Sequence, residues 1–169
     1  MEIRLANEND MVALMAIVRG VVPLMRTEGN LQWGDDYPNE AIFLQDIDLS
    51  RLWVAVIGAK VAGAIALTTN AEPDYEQANW DNSLPAVVIH WLAVDPAQRG
   101  AGVAKALMLH AEEVALAKKI SLIRTDTNSE NKATQRLFPS MGYRFAGEIS
   151  LRARPGLRFF CYEKLLSRP

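Results

Sequence analysis

The chain of 169 residues has a single cysteine, Cys161, so no disulfide can form within it. That suits a reducing compartment, and the sequence predicts a cytoplasmic protein. Long apolar runs are also missing. Arg19, Pro23, Gly58 and Lys60 interrupt the longest ones, and no stretch is left that spans a bilayer. The opening Met1-Glu2-Ile3-Arg4 lacks the apolar core of a secretory signal. An excess of charge is absent too: 18 Lys and Arg against 20 Asp and Glu give −2. Such a balance attracts neither nucleic acid nor an anionic membrane, so neither is an expected partner. There is no internal repeat and no low-complexity tract, and no metal site is read from the residues.

What is present is an ordinary globular composition, half apolar and 22% charged, in a chain long enough to bury a full core. One domain over 1–169 is expected. Ile3–Leu5 reads as a short strand. Asn7 or Asn9 caps a helix from about Asp10 to Met25, which Pro23 should bend or end. Gly29-Asn30 turns the chain, and Asn39 caps a second helix to about Asp46. Leu52–Ile57 and Val61–Thr68 form a hairpin around Gly58-Ala59-Lys60. Residues 70–84 read as a polar loop. Strand, helix, strand, short helix and a final strand pair complete the order. It predicts an α/β chain with a mixed sheet and helices packed against it.

The most informative stretch runs from Val87 to Ala104. Val87-Val88-Ile89-His90-Trp91-Leu92-Ala93-Val94 is a buried strand that Asp95-Pro96 stops. Gln98-Arg99-Gly100-Ala101-Gly102 then turns directly into a helix from Val103 to about Ala117. Such a turn aims backbone N–H groups from the positive end of a helix, which is a cradle for phosphate. A Walker loop is excluded, because Gly102 is followed by Val103-Ala104-Lys105 and not by Lys-Ser/Thr. A dinucleotide fingerprint is disfavoured, because Lys105 stands where its third glycine belongs. The pattern Arg/Gln-x-x-Gly-x-Gly/Ala fits Arg99 to Ala104. With Leu92-Ala93-Val94-Asp95-Pro96 before it, the turn resembles the coenzyme A pyrophosphate loop of the GNAT N-acetyltransferase superfamily. The resemblance continues through the strand Ser121–Asp126, the stretch Asn128-Ser129-Glu130-Asn131-Lys132-Ala133, the helix from Thr134 to Ser140 with Met141-Gly142-Tyr143, and the tail Arg158–Lys164. Residues 1–85 match mainly in element order.

The resemblance implies a GNAT fold, with a central, mostly antiparallel twisted sheet splayed between the strands near 87–94 and 121–126. It implies acetyl-CoA as the cofactor. The pantetheine arm would pair with Leu92, Ala93 and Val94, and the pyrophosphate would lie over Arg99, Gly100, Ala101, Gly102, Val103, Ala104 and Lys105. Asn131 would hydrogen-bond the arm, with Asn128 as the secondary candidate, while Asn131 also suits a helix cap. The reaction implied is direct attack of an amine on the thioester, which needs a base for the amine and an acid for the leaving thiolate. Strand alternation should put His90 on the face of Leu92 and Val94. That makes it the candidate base or proton relay; the plain alternative is a half-buried histidine bonded to a nearby loop.

Position 138 departs from the family. Relatives carry a tyrosine acid there, and this chain has Phe138 in Leu137-Phe138-Pro139-Ser140-Met141-Gly142-Tyr143. Phe138 should pack on the pantetheine arm, with water as the acid, and Tyr143 reads as a packing residue. Trp33 and Tyr37 in Leu31–Pro38 are candidate contacts for the acceptor, and Asp35, Asp36 or Glu40 could draw in its ammonium. Glu72-Pro73-Asp74-Tyr75-Glu76 is a second acidic and aromatic segment. For both segments a solvated loop with anchoring aromatics is the plainer reading. Cys161 reads as core, and His110 as structural or surface. The acceptor is a small-molecule or protein amine. Many relatives dimerise, so a homodimer is open. A catalytically weak acyl-CoA-binding sensor is the alternative to an enzyme.

Overall fold

The computed structural model describes residues 1–34, 36–70 and 72–167. Among the described residues, seven strands form one sheet in the order β1-β2-β3-β4-β5-β7-β6. They are β1 (Glu2–Leu5), β2 (Leu52–Ile57), β3 (Lys60–Thr68), β4 (Val87–Val94), β5 (Leu122–Asn128), β6 (Arg144–Ile149) and β7 (Phe159–Leu165). Only β4 and β5 run parallel. Helices α1 (Met11–Thr27) and α2 (Glu40–Asp48) cover one face, and α3 (Val103–Ala117) and α4 (Lys132–Ser140) cover the other. The mixed sheet flanked by helices is as the sequence predicts. No helix among the described residues is long and apolar enough to cross a membrane.

Helix α1 does not end at Pro23; it continues to Thr27. A proline inside a helix costs about 3 kcal/mol through its missing N–H and its ring. Leu14, Ile17, Val18 and Val22 are all buried against Leu52, Val54, Ala64 and Ala66 of the sheet. Burying each such side chain is worth about 1.5–3 kcal/mol, so packing outweighs the proline. Asn39 caps α2 as expected, its side chain accepting from the Ile42 N–H at 3.1 Å. The segment read as loop contains one 3₁₀ turn, Pro73–Gln77. It lays Tyr75 and Ala78 over Val88, Ala146, Phe159 and Cys161, where no helix covers the sheet.

Gly63 fixes how closely α3 approaches. A Cβ there would stand 2.8 Å from both the Ala93 carbonyl oxygen and Val103 Cγ1. Only a residue without a side chain lets the first residue of α3 seat against β3, and this contact holds the turn before α3 in place.

Candidate active site

Parallel pairing between β4 and β5 covers three positions and then stops: Val87 with Ile123, Val88 with Arg124, Ile89 with Thr125. Past that point each strand keeps only its outer partner. Ala93 and Val94 stay opposite Ala64 and Gly63. Asp126 to Asn128 stay opposite Cys161 to Phe159. The inner edge of Leu92–Val94 therefore offers main-chain donors and acceptors that no strand uses, inside the sheet. An extended polar arm can pair with such an edge as an added strand does. The gap opens into a cavity of about 750 Å³.

Its walls collect most of the residues singled out in the sequence. His90, Leu92, Ala93, Val94, Arg99, Gly100, Gly102, Val103, Ala104, Lys105, Asn131, Phe138, Trp33 and Tyr37 all line it. Ala101 and Asn128 do not. Ala101 is exposed at the tip of the turn. Asn128 is buried because β5 runs two residues past the predicted Asp126, and its Oδ1 accepts from the Glu130 N–H at 2.9 Å. Asp36 and Glu40 are exposed and away from the cavity, and Asp35 lies outside the described residues. The acidic side chains that do line it are Glu28, Glu72, Asp74 and Asp126.

At one end of the cavity lies the turn before α3. Gly100 and Gly102 have φ of +82° and +77°, which glycine alone adopts without strain. A Cβ on either would meet nothing within 4 Å, so the space above them is open. No side chain caps α3. Its first-turn amides have no intrahelical acceptor and carry the positive end of the helix dipole. Arg99 and Lys105 stand beside them in the same wall.

His90 is not on the face of Leu92 and Val94. The register with β3 shifts between Ala66, opposite His90, and Ala64, opposite Ala93, so β4 carries one extra residue there. Trp91 takes it up as a bulge with φ of +53°. The bulge puts Trp91 on the α1–α2 face and Leu92 and Val94 on the α3 face. His90 follows Ile89, which is on the α3 face, and so points to the opposite side. Its Nε2 lies 3.3 Å from Thr68 Oγ1. Burial, and then the charge of Arg51, push its imidazole down to about 4, so the ring is neutral at physiological pH.

On the same face, across the gap, stands Asp126, a cavity residue that the pattern of the sequence did not single out. The Tyr75 hydroxyl donates to its Oδ1. Burial drives the carboxyl up to about 6; the Tyr75 bond opposes that rise and the charge of Glu72 adds to it. Tyr75 is itself buried, and its phenol is pushed far above its usual range, again chiefly by burial.

The other end of the cavity is aromatic. Tyr37, Trp33 and Phe43 surround Trp91, with ring centroids 4.9, 6.2 and 6.4 Å away. These contacts hold the left-handed backbone at Trp91. Arg154, from the connection between β6 and β7, reaches into the same wall. Its guanidinium carbon lies 3.8 Å from the Tyr37 ring centre, and its Nε donates to the Gln32 carbonyl at 3.0 Å. Its Nη1 donates to the Ala153 carbonyl, while its Nη2 has no hydrogen-bond partner among the described residues.

Phe138 packs between Tyr143 and Tyr162 and lines the cavity. Tyr143 is buried outside the cavity wall, so its hydroxyl is not placed to protonate a group inside. Cys161 is buried core, its thiol raised by burial and then by the charge of Asp126. His110 stacks edge-on against Trp53 at 4.3 Å, away from the cavity.

Residues 20–143 match the family model described as acetyltransferase (GNAT) family. The sequence is 32% identical over 116 residues to an N-acetylaspartate synthetase of Xenopus tropicalis, a match that covers 69% of this chain and 39% of that protein. The chain thus spans well under half the length of that relative. Its fold superimposes on a GNAT-family acetyltransferase from Streptococcus agalactiae with a TM-score of 0.85, at 24% identity and over 99% of this chain and 96% of that one. It also superimposes on a Salmonella typhimurium protein solved with its cofactor acetyl-CoA, with a TM-score of 0.72, at 17% identity and over 100% and 95% of the two chains.

Proposed function

The chain belongs to the acetyltransferase (GNAT) family, and from that membership we propose that it moves an acetyl group from acetyl-CoA directly onto a primary amine. The observation that carries this reading is the parting of β4 and β5 after Ile89 and Thr125, which opens one cavity with the glycine turn before α3 at one end and an aromatic, acidic wall at the other. The turn at 99–105 would take the pyrophosphate, and the free edge of Leu92–Val94 the pantetheine amides. The thioester would then lie at the gap. An amine held at the aromatic end meets the thioester carbonyl carbon there, and alignment of the two reactants is itself worth several kcal/mol of barrier. Free backbone N–H groups at the gap can stabilise the oxyanion that forms. The C–N bond forms, the C–S bond breaks, and the thiolate takes a proton from water.

Release of free thiol from acetyl-CoA, measured against a panel of amines, tests the reading. We expect release that depends on a primary amine. The composition of the acceptor end favours an amine that also bears a carboxylate, such as an amino acid. Arg154 Nη2 has no hydrogen-bond partner at that end among the described residues, and the similar Xenopus protein is named for making N-acetylaspartate. Replacing Arg154 by methionine should lower kcat/KM for such acceptors about tenfold to a hundredfold, the worth of one charge-assisted bond of ~1.5–3 kcal/mol. It should change kcat/KM for a simple alkylamine far less. Equal losses for both acceptor types would count against a carboxylate clamp.

One feature favours a second reading, a CoA-binding module without turnover: no tyrosine hydroxyl reaches the gap from position 138 or 143. A thiolate leaves readily without a side-chain acid, so we hold to the enzyme. On that view Phe138→Tyr changes turnover less than about tenfold, which is ~1.4 kcal/mol of barrier. A much larger gain in thiol release at saturating amine would mark position 138 as a lost acid.

A further inference from the structure

We infer that the carboxylate of Asp126, held by Tyr75, is the group that takes the proton from the attacking amine. The inference rests on the acetyl-transfer reading. Ile89 and Thr125 are the last paired residues of β4 and β5, so Asp126 is the first residue of β5 past the point where the sheet opens. It lines the cavity from the face that also carries the aromatic acceptor wall. The Tyr75 hydroxyl occupies Oδ1, and no protein donor among the described residues bonds Oδ2. A carboxylate fixed at one oxygen, open at the other, and set between the thioester gap and the acceptor end can receive an ammonium. Tyr75 is its positioning residue: it bridges from the 3₁₀ turn Pro73–Gln77 and is immobilised by burial and by the Trp80 ring, 5.0 Å away.

The balance is simple. An ammonium, R–NH₃⁺, gives one proton to Asp126. The neutral amine attacks the thioester carbon, and the C–S bond breaks. The second amine proton is lost as the amide forms and is replaced on sulfur through water. Asp126 then returns its own proton to solvent. Among the described residues, the groups facing Asp126 are Tyr75 and Glu72 from the 72–77 segment, Cys161 opposite it on β7, His90 across the gap on β4, and Tyr37. Tyr75, Cys161 and Tyr37 are held uncharged by burial, and His90 is neutral above about pH 4. Asp126, raised to about 6, changes its charge close to neutrality, where a general base works best. The base acts when ionised, so turnover should rise with pH through that region.

The test is the pH profile of kcat for thiol release with the intact chain, a saturating amine and saturating acetyl-CoA. Asp126→Asn should lower kcat at pH 7 about a hundredfold, abolish the acid limb, and approach the wild type at high pH, where the amine arrives neutral. Its affinity for CoA, read by calorimetry, should be unchanged. Tyr75→Phe removes a bond that favours the ionised carboxyl, so its limb should move to higher pH. Asp126→Asn with the wild-type limb overturns the inference and leaves acetyl transfer standing. If Asp126→Asn fails to fold, the Tyr75→Phe profile decides, and an unmoved limb overturns the inference. A wild type that releases no thiol with any amine removes the acetyl-transfer reading, and the inference with it.

Discussion

Replacing Gly102 by glutamate should weaken CoA binding on the order of a thousandfold, about 4 kcal/mol. Two effects add. The carboxylate is placed over the open space that the turn leaves above α3, where a Cβ meets nothing within 4 Å of the protein. There it repels a pyrophosphate and takes up the first-turn amides that would have bound it, each such charge-assisted bond being worth ~1.5–3 kcal/mol. A second cost is separate: φ at Gly102 is +77°, so any side chain strains the backbone by about 1–2 kcal/mol. Gly102→Ala isolates that cost. Both variants should lose similar stability without ligand, while only the glutamate loses most of its affinity. The charge component should also shrink as salt is raised. Calorimetric titration with CoA measures this, and wild-type affinity in a folded glutamate variant removes the turn from the binding site.

The second large effect is on stability. Glu163 on β7 is buried between Arg124 of β5 and Arg144 of β6, opposite both in register. Its Oε2 accepts from Arg124 Nε at 3.2 Å, and its Oε1 accepts from Arg144. Arg144 is largely exposed and can turn to water if its partner is lost. Arg124 cannot, since its side chain is 3% accessible. Among the described residues, Glu163→Ala leaves that guanidinium with the Asp81 carbonyl at 2.7 Å as its hydrogen-bond acceptor, the face of Trp80 at 4.8 Å, and the more distant charge of the exposed Asp81 carboxylate. Stranding a buried charge in this way costs about 3–5 kcal/mol, which for a chain of this size lowers Tm by roughly 10 °C. Denaturation in urea reads it. Glu163→Leu combined with Arg124→Met should recover most of the loss, because an apolar pair of similar volume needs no partner. A single variant that loses under 1 kcal/mol would contradict this account of the β5–β7–β6 sheet half.

Much of this architecture could be read along the chain because its signals are local. The β-branched run 87–89, the stop at Asp95-Pro96 and the two glycines at 100 and 102 fall within eighteen residues, and the helix from Val103 to Ala117 has the expected bounds. Asn39 and Asn131 cap the helices they precede, as asparagine before a helical stretch suggests. What could not be read depends on distance or on a single extra residue. The bulge at Trp91 reverses the side chains that follow it, and alternation cannot register such a slip. Its cause is remote, a left-handed tryptophan held by Trp33, Tyr37 and Phe43 from another part of the chain. Asp126 and Tyr75 meet across 51 positions, and Arg154 reaches Gln32 across 122. No spacing rule connects those pairs. An acidic residue near the end of a buried strand, beside the strand that carries the turn, was the one available hint of Asp126. Pro23, expected to bend or end α1, does not end it, because the penalty is local whereas the burial that overcomes it comes from the sheet.

The most direct measurement incubates the chain with acetyl-CoA carrying an isotopically labelled acetyl group and a mixture of primary amines, half of them bearing a carboxylate. Free thiol and labelled products are then counted together. Acetyl transfer predicts one labelled N-acetyl amide for each thiol released, with the carboxylate-bearing amines consumed first. Tight binding of CoA with no amine-dependent thiol, or thiol released as acetate with no amide, would contradict it and leave a protein that only holds the coenzyme.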